Sequence, residues 1–280
     1  MRVVDPLATE AALATERQFV LSLGGSALEI AGATLVTHEK LPAPRFNFVQ
    51  VTGVGAERQT AFFERALDHY FQRALRPTFR IPEPVPAHLD SALRRFGFRP
   101  AVEPLVLLSA DELPTGSAPP PEGVRTARSS EVDLVVSFWT HEAERPELRA
   151  ALEVMWNHPN PDEQLVPVLG YRAARPVSAA LVYRYRSTAG IYAVATQPLS
   201  RGQGSATDVV RYARATSVGG RGVRYSIFAD SPRLERHLKT LGFTAARRFQ
   251  IYELPRGAEL ALPPAAPSGP PRWRPPRAPR

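Results

Sequence analysis

Apolar residues recur along this chain with two different periods, and the switches between them mark out its elements. From Gly190 to Thr196 the sequence alternates and is rich in β-formers, which predicts a strand that Pro198 stops. Ala206, Val209, Val210 and Ala213 then take the i, i+3, i+4, i+7 spacing of a helix packed on a sheet. Gly219-Gly220-Arg221-Gly222 ends that helix, and Val223, Tyr225 and Ile227 alternate along the next strand. Ser231-Pro232 forms an N-cap and first-turn pair, and Leu234, Leu238 and Leu241 give the helix after it a buried side. Gly242-Phe243 leads to a last strand from Arg248 to Leu254.

Upstream, Gly123 to Arg128 reads as a strand and is followed by helices over Ser130 to Trp139 and Pro146 to Trp156. Strands over Leu165 to Tyr171 and Val177 to Tyr185 join at Ala173-Ala174-Arg175-Pro176. The first half of the chain echoes the second. Leu93-Arg94-Arg95-Phe96-Gly97-Phe98 matches Leu238-Lys239-Thr240-Leu241-Gly242-Phe243 at an offset of about 145 residues, and each precedes an apolar segment. A strand over Phe46 to Val51, the turn Thr52-Gly53-Val54-Gly55 and a helix striped by Phe62, Phe63, Leu67 and Tyr70 complete the echo. Pro114 to Pro121 reads as a linker, and the proline pairs after Gly257 forbid a helix or a ladder. The predicted organisation is a domain over 1–112, a linker over 113–122, a second domain over 123–256 and a disordered tail over 257–280.

The chemistry concentrates where the strand ending at Thr196 runs through a glycine turn into a helix. A helix N-terminus carries unpaired N–H groups and the positive end of the macrodipole, so a turn of small residues lets a phosphate close on it. The residues there, Arg201-x-x-Gly204-x-Ala206, resemble the Arg/Gln-x-x-Gly-x-Gly/Ala signature of the GNAT superfamily of acyl-CoA-dependent N-acetyltransferases. The element order from Gly190 to Leu254 is similar to the C-terminal half of that fold, and the likeness extends over 123–254. The resemblance implies an α+β protein with a mixed, largely antiparallel twisted sheet flanked by helices, in two tandem copies. At the same offset, Arg201, Gly204 and Ala206 fall on Ala56, Gln59 and Ala61, so the N-terminal copy lacks the phosphate turn. An unrelated small α+β domain is the alternative for that half.

The resemblance also implies a site. Val194, Ala195 and Thr196 would hold the thioester and pantetheine arm of acetyl-CoA, and their N–H groups would polarise the carbonyl. Gly202, Gln203, Gly204, Ser205, Ala206 and Thr207 would donate to the pyrophosphate, with Arg201 holding the turn or pairing with phosphate. The activity implied is acetyl transfer to a primary amine by direct attack in a ternary complex. A non-catalytic acyl-CoA-binding or interaction protein that retains the fold is the alternative. The chain departs from the family where a Tyr often protonates the leaving thiolate: that position is Leu238, beside His237, and the Asn often found at the helix start is Ser231. No catalytic residue is therefore assigned. His237 either faces the cleft or packs; Asp230 is a base or a turn residue. Glu142, Glu144, Asp162 and Glu163 either line the acceptor cleft or are solvated. Trp139, His141, Trp156, Asn157, His158 and Asn160 form a recognition surface or pack in the core.

Composition narrows the classes. The chain has no cysteine, which removes thiolate catalysis, disulfides and zinc–thiolate sites, and no ligand spacing for a metal is present. No apolar run approaches the roughly 20 residues of a membrane span, and the first residues lack the order of a signal peptide, so a cytoplasmic protein is expected. The net charge of +8 is spread among Asp and Glu except in the tail, where Arg272, Arg274, Arg277 and Arg280 cluster, so nucleic acid is a minor reading. The partner expected is an amine of unspecified identity, and a homodimer is compatible with the pattern.

Overall fold

The computed structural model describes residues 6–111, 121–139, 145–157, 163–215 and 222–255. Residues 113–120 of the predicted linker and the tail 257–280 lie outside them. The chain divides into two compact units that cut across the predicted boundaries. One joins the described residues up to Gly24 to Val106–Ala246, and the other joins Gly25–Leu105 to the described residues from Arg247. The expected contiguous domains over 1–112 and 123–256 thus exchange their ends. The first helix, α1 (Pro6–Ser22), buries Ala12, Phe19 and Val20 and belongs to the unit built mainly from the second half. In return, Phe249–Tyr252 pair antiparallel with Phe79–Pro82 in the other unit.

The unit built on the first half contains β1 (Ser26–Ile30), β2 (Ala33–Thr37), β3 (Phe48–Val51), α2 (Gln59–Phe71), β4 (Thr78–Pro82) and α3 (Ala87–Arg95). Its ladder runs β1-β2-β3-β4, then the end of the last strand of the chain, with β3 and β4 parallel across the α2 crossover. Phe62, Phe63, Leu67 and Tyr70 are all buried, as the stripe predicts, and Phe63 meets Phe79 edge-on at 5.3 Å. The Tyr70 hydroxyl donates to the carbonyls of Val36 and Phe48, both at 2.7 Å, and burial pushes its pKa up.

The other unit carries β6 (Leu105–Ala110), β7 (Val124–Thr126), α4 (Val132–Trp139), α5 (Arg145–Asn157), β8 (Glu163–Arg172) and β9 (Arg175–Tyr185). Then come β10 (Thr188–Thr196), α6 (Ser205–Ala215), β11 (Arg224–Ala229), α7 (Pro232–Thr240) and the start of β12 (Thr244–Glu253). The two-residue β5 (Arg99–Pro100) pairs with the far end of β12. The order here is β7-β8-β9-β10-β11-β6, antiparallel except for the parallel pair β10–β11 that α6 links. The β8–β9 turn is made by Ala173 and Ala174, both at positive φ, the backbone twist a two-residue hairpin demands. Val209, Val210, Ala213 and Leu238 are buried with Val168, Val182 and Ile191 in one core, which sets α6 and α7 against the sheet.

The echo between the halves is structural. In each unit a parallel strand pair is bridged by a helix and followed by a second helix with the same closing turn. Phe98 N–H returns to Leu93 C=O at 2.9 Å, and Phe243 N–H returns to Leu238 C=O at 3.2 Å. All four side chains are buried, so the repeated Leu and Phe hold the helix end onto the core. On the last turn of α6, Arg214 donates to the carbonyls of Leu241 and Asp111, the latter at 2.8 Å, and lies over the Phe243 ring.

An ion pair fastens the edge strand β7. Both Arg125 terminal nitrogens meet the Glu131 carboxylate at 2.7 Å, Arg125 also donates to the Tyr171 hydroxyl, and Arg128 N–H donates to Glu131 at 2.8 Å. These donors hold the Glu131 carboxyl down at about 2, from 4.5. A depressed folded-state pKa stabilises the fold above the unfolded value and loses that contribution as pH falls through the window toward 2. Glu131→Gln should therefore lower Tm at neutral pH, and the gap to wild type should shrink between pH 4.5 and 2, measured by thermal melts across that range.

Candidate functional site

The site begins where two neighbouring strands stop pairing. β10 matches β11 from Thr188↔Arg224 to Ile191↔Ile227 and no further. Beyond that point β10 stays with β9 through Ala195↔Ala179 and Thr196↔Ser178, while β11 stays with β6 through Ala229↔Val106. The main-chain groups of Tyr192–Thr196 on the β11 side are thereby left outside that ladder. The break coincides with a bulge between Tyr192 and Ala195, and Ala193 sits at φ +53°. A left-handed alanine costs about 1–2 kcal/mol, so the surrounding packing must hold it there.

After β10 the chain makes a 3-10 turn over Pro198–Ser200 and reaches α6 through Gly202 and Gly204, both with φ near +80°. Added Cβ atoms at these glycines would enter open space, so backbone conformation is what requires them. The first bond of α6 runs from Asp208 N–H to Gly204 C=O at 3.0 Å, which leaves the N–H groups of Ser205, Ala206 and Thr207 ahead of the helical ladder. Two hydroxyls beside them, Thr196 Oγ1 and Ser205 Oγ, are buried without a hydrogen-bond partner among the described residues. The donor set suits an anion.

The structure brings Val194, Ala195, Thr196, Arg201, Gly202, Gln203, Gly204, Ser205, Ala206 and Thr207 into one continuous strand–turn–helix segment. Residues 201–204 are exposed, Ala206 is half-buried, and the Arg201 side chain reaches back toward Thr196 C=O at 3.5 Å. Supports that the sequence did not mark are also present. Arg172, at the end of β8, pairs with Asp208 at 2.7 Å and donates to Gln203 C=O at 3.3 Å. Ser178 Oγ donates to Ser205 C=O at 3.3 Å. The only hint of Arg172 in the sequence is its place at a hairpin turn, because its partner lies more than 30 residues on.

The remaining candidates separate. His237 is half-buried, and its Nε2 lies 2.9 Å from Thr207 Oγ1, so it ties α7 to the first turn of α6. Leu238 is buried in the core, and Ser231 caps α7 by accepting Leu234 N–H. Asp230 is exposed in the bend after β11. The Glu163 carboxylate accepts from Gln18 at 3.0 Å and Ser22 at 2.7 Å, so it anchors α1. Trp139 is half-buried against Phe19, and Trp156 is half-buried on α5. His141, Glu142, Glu144, His158, Asn160 and Asp162, together with the Asn157 side chain, lie outside the described residues. Among the described residues no group of three His, Asp or Glu side chains could hold a metal, and no helix is long and apolar enough to cross a membrane.

The corresponding place in the other unit is built differently. β3 pairs with β4 through Gln50↔Arg80, almost to its end, and the next two N–H groups, of Thr52 and Gly53, both go to Gly32 C=O. The Glu57 carboxylate lies against Gly55 just before α2. A resident carboxylate there repels an anion.

No family model and no curated protein matches the sequence. Solved structures do. The chain is similar to a GCN5-related N-acetyltransferase from Kribbella flavida at 15% identity and a TM-score of 0.62, covering 88% of this chain and 96% of that one. It is similar to a functionally unknown conserved protein from Staphylococcus epidermidis at 13% identity and 0.60, with 83% and 95% covered. A tandem GNAT protein from the clavulanic acid biosynthesis pathway follows at 13% identity and 0.55, with 79% and 77% covered. The fold is the α+β GNAT fold in tandem arrangement.

Close packing of α6 on the sheet depends on Gly170, where an added Cβ would stand 2.3 Å from Ser178 Oγ and 3.1 Å from Val209 Cγ1. Gly170→Ala should destabilise the protein by about 1–3 kcal/mol, read as a lower urea midpoint.

Proposed function

We propose that this protein is an acyl-CoA-dependent N-acyltransferase that moves an acetyl group from acetyl-CoA to a primary amine. The observation that carries the reading is the parting of β10 from β11 immediately before a helix N-terminus whose first N–H groups stand ahead of the helical ladder. The N–H groups of Gly202–Thr207 suit the pyrophosphate, and α6 contributes the positive end of its dipole. The main chain of Val194–Thr196 suits the pantetheine arm and the thioester carbonyl, whose developing charge its N–H groups would stabilise. The amine adds to the acetyl carbon as the C–S bond breaks, and its proton leaves to water while the CoA thiolate is protonated. No covalent enzyme intermediate is needed, which suits a chain without cysteine.

One observation favours a second reading, a protein that binds acyl-CoA without turning it over. Leu238, at the family's usual acid position, is buried and cannot donate a proton. The two readings share the binding site and part at release of free CoA thiol in the presence of amines.

The test is a thermal-shift titration with acetyl-CoA on wild type, Gly204→Ala and Gly204→Glu. Ligand at about 100 times its dissociation constant should stabilise wild type by roughly 2.7 kcal/mol. Gly204→Ala carries the positive-φ strain without charge, so it should melt lower yet keep the shift. Gly204→Glu should lose it, because its carboxylate faces the pyrophosphate. No shift in wild type overturns the reading.

A further inference from the structure

The bulge that opens the site is clamped by a residue from the far end of the chain. Tyr192, which immediately precedes the left-handed Ala193, folds its ring back along the strand over Gly190. The fit is so close that a Cβ at Gly190 would stand 2.2 Å from the Tyr192 hydroxyl oxygen and 2.3 Å from the ring. Phe19 of α1 stacks on the same ring at 4.6 Å and 3°. Phe19 is itself fixed. It is 3% exposed, lies 5.3 Å from the Tyr183 ring and 5.8 Å from Trp139, and its helix is tied down by Ser22 on Glu163.

We infer that Phe19 is a positioning residue for acyl transfer: it closes a slot with Gly190 that holds the Tyr192 ring and, through it, the strained Ala193 peptide and the main chain of Val194–Thr196. The inference rests on the proposed acyltransferase function. A left-handed alanine relaxes unless its neighbours are over-determined, and the clamp on the preceding side chain supplies that constraint. A stacked aromatic pair resists both rotation of the ring and drift of the strand. Relaxation of the bulge would move N–H groups that must stand within hydrogen-bond reach of the thioester oxygen. Phosphate binding would not change, because the α6 turn is held separately by Arg172 and Ser178.

The experiment compares wild type, Phe19→Ala, Phe19→Leu and Phe19→Tyr by three readouts. Acetyl-CoA affinity is taken by calorimetry, and the thioester carbonyl stretch of bound acetyl-CoA by infrared difference spectroscopy. Turnover uses hydroxylamine, a small nucleophile that needs no acceptor pocket. Its nitrogen forms the new bond to the acetyl carbon, the C–S bond breaks, and acetohydroxamate and free CoA thiol result. The thiol is read without protein background because the chain has no cysteine. Wild type should bind and show a down-shifted carbonyl band. Phe19→Ala and Phe19→Leu should keep acetyl-CoA affinity within about twofold, lose most of the band shift and turn over about 10- to 100-fold more slowly. Phe19→Tyr, which keeps the flat ring, should restore both. Phe19→Leu preserves apolar bulk and serves if Phe19→Ala does not fold. Unchanged band and rate in Phe19→Leu overturn the inference while the function stands, as does failure of Phe19→Tyr to rescue. Failure of wild type to bind acetyl-CoA overturns the function first.

Discussion

The four-residue limit on pairing between β10 and β11 is the constraint on which the site depends. A parallel pair joined by a helix would ordinarily continue its ladder to the strand ends, as β3 and β4 nearly do in the other unit. Here the bulge at Ala193 turns β10 toward β9, while β11 keeps its partner β6. β11 stays paired with β6 and β10 resumes its pairing with β9 at Ala195, so the main-chain groups between the two parted strands are left over. The fold thus creates hydrogen-bonding capacity without exposing a whole sheet edge.

The two units differ in little beyond the strand end and the turn that follows it. Both have a strand, a helix, a parallel strand and a helix closed by Leu and Phe, and both bury the same kind of apolar stripe. One unit ends its strand at a glycine turn aimed at open space; the other spends the equivalent donors on Gly32 and sets the Glu57 carboxylate at the helix start. Shared architecture did not carry a shared arrangement of main-chain donors. Local backbone disposition decided it.

The elements from Val124 to Tyr252 were legible because their signals are local: period, caps and turn glycines within a few residues of the structure they specify. Small departures have local causes. Pro44–Phe46 coil into a 3-10 turn ahead of β3, and β7 stops short of the 3-10 turn over Ser129–Glu131 that leads into α4. The glycine turn between β10 and α6 was legible for the same reason. Phe19, Gly190, Arg172 and the exchange of chain ends were not. The spacing of Ala12, Phe19 and Val20 announces a buried helix face, yet nothing near it says that the partner is a strand some 170 residues later. Glu163, read as a cleft or solvent residue, turned out to anchor that helix, since its partners Gln18 and Ser22 are equally distant in sequence.

The exchange of ends has a consequence for how the chain comes off the ribosome. Helix α1 is made well before the strands β9 and β10 that it covers, and until they emerge it waits with Phe19 and Val20 uncovered. The first-half unit waits as well, because β4 receives its partner Phe249–Tyr252 only after all the strands of the other unit have been made. Neither half can be completed as an independent early product, so a truncated chain is left with an exposed helix face and an open strand edge. Chains that contain β12 bury these surfaces, whereas chains cut before it keep an unpaired strand edge, the feature that favours aggregation.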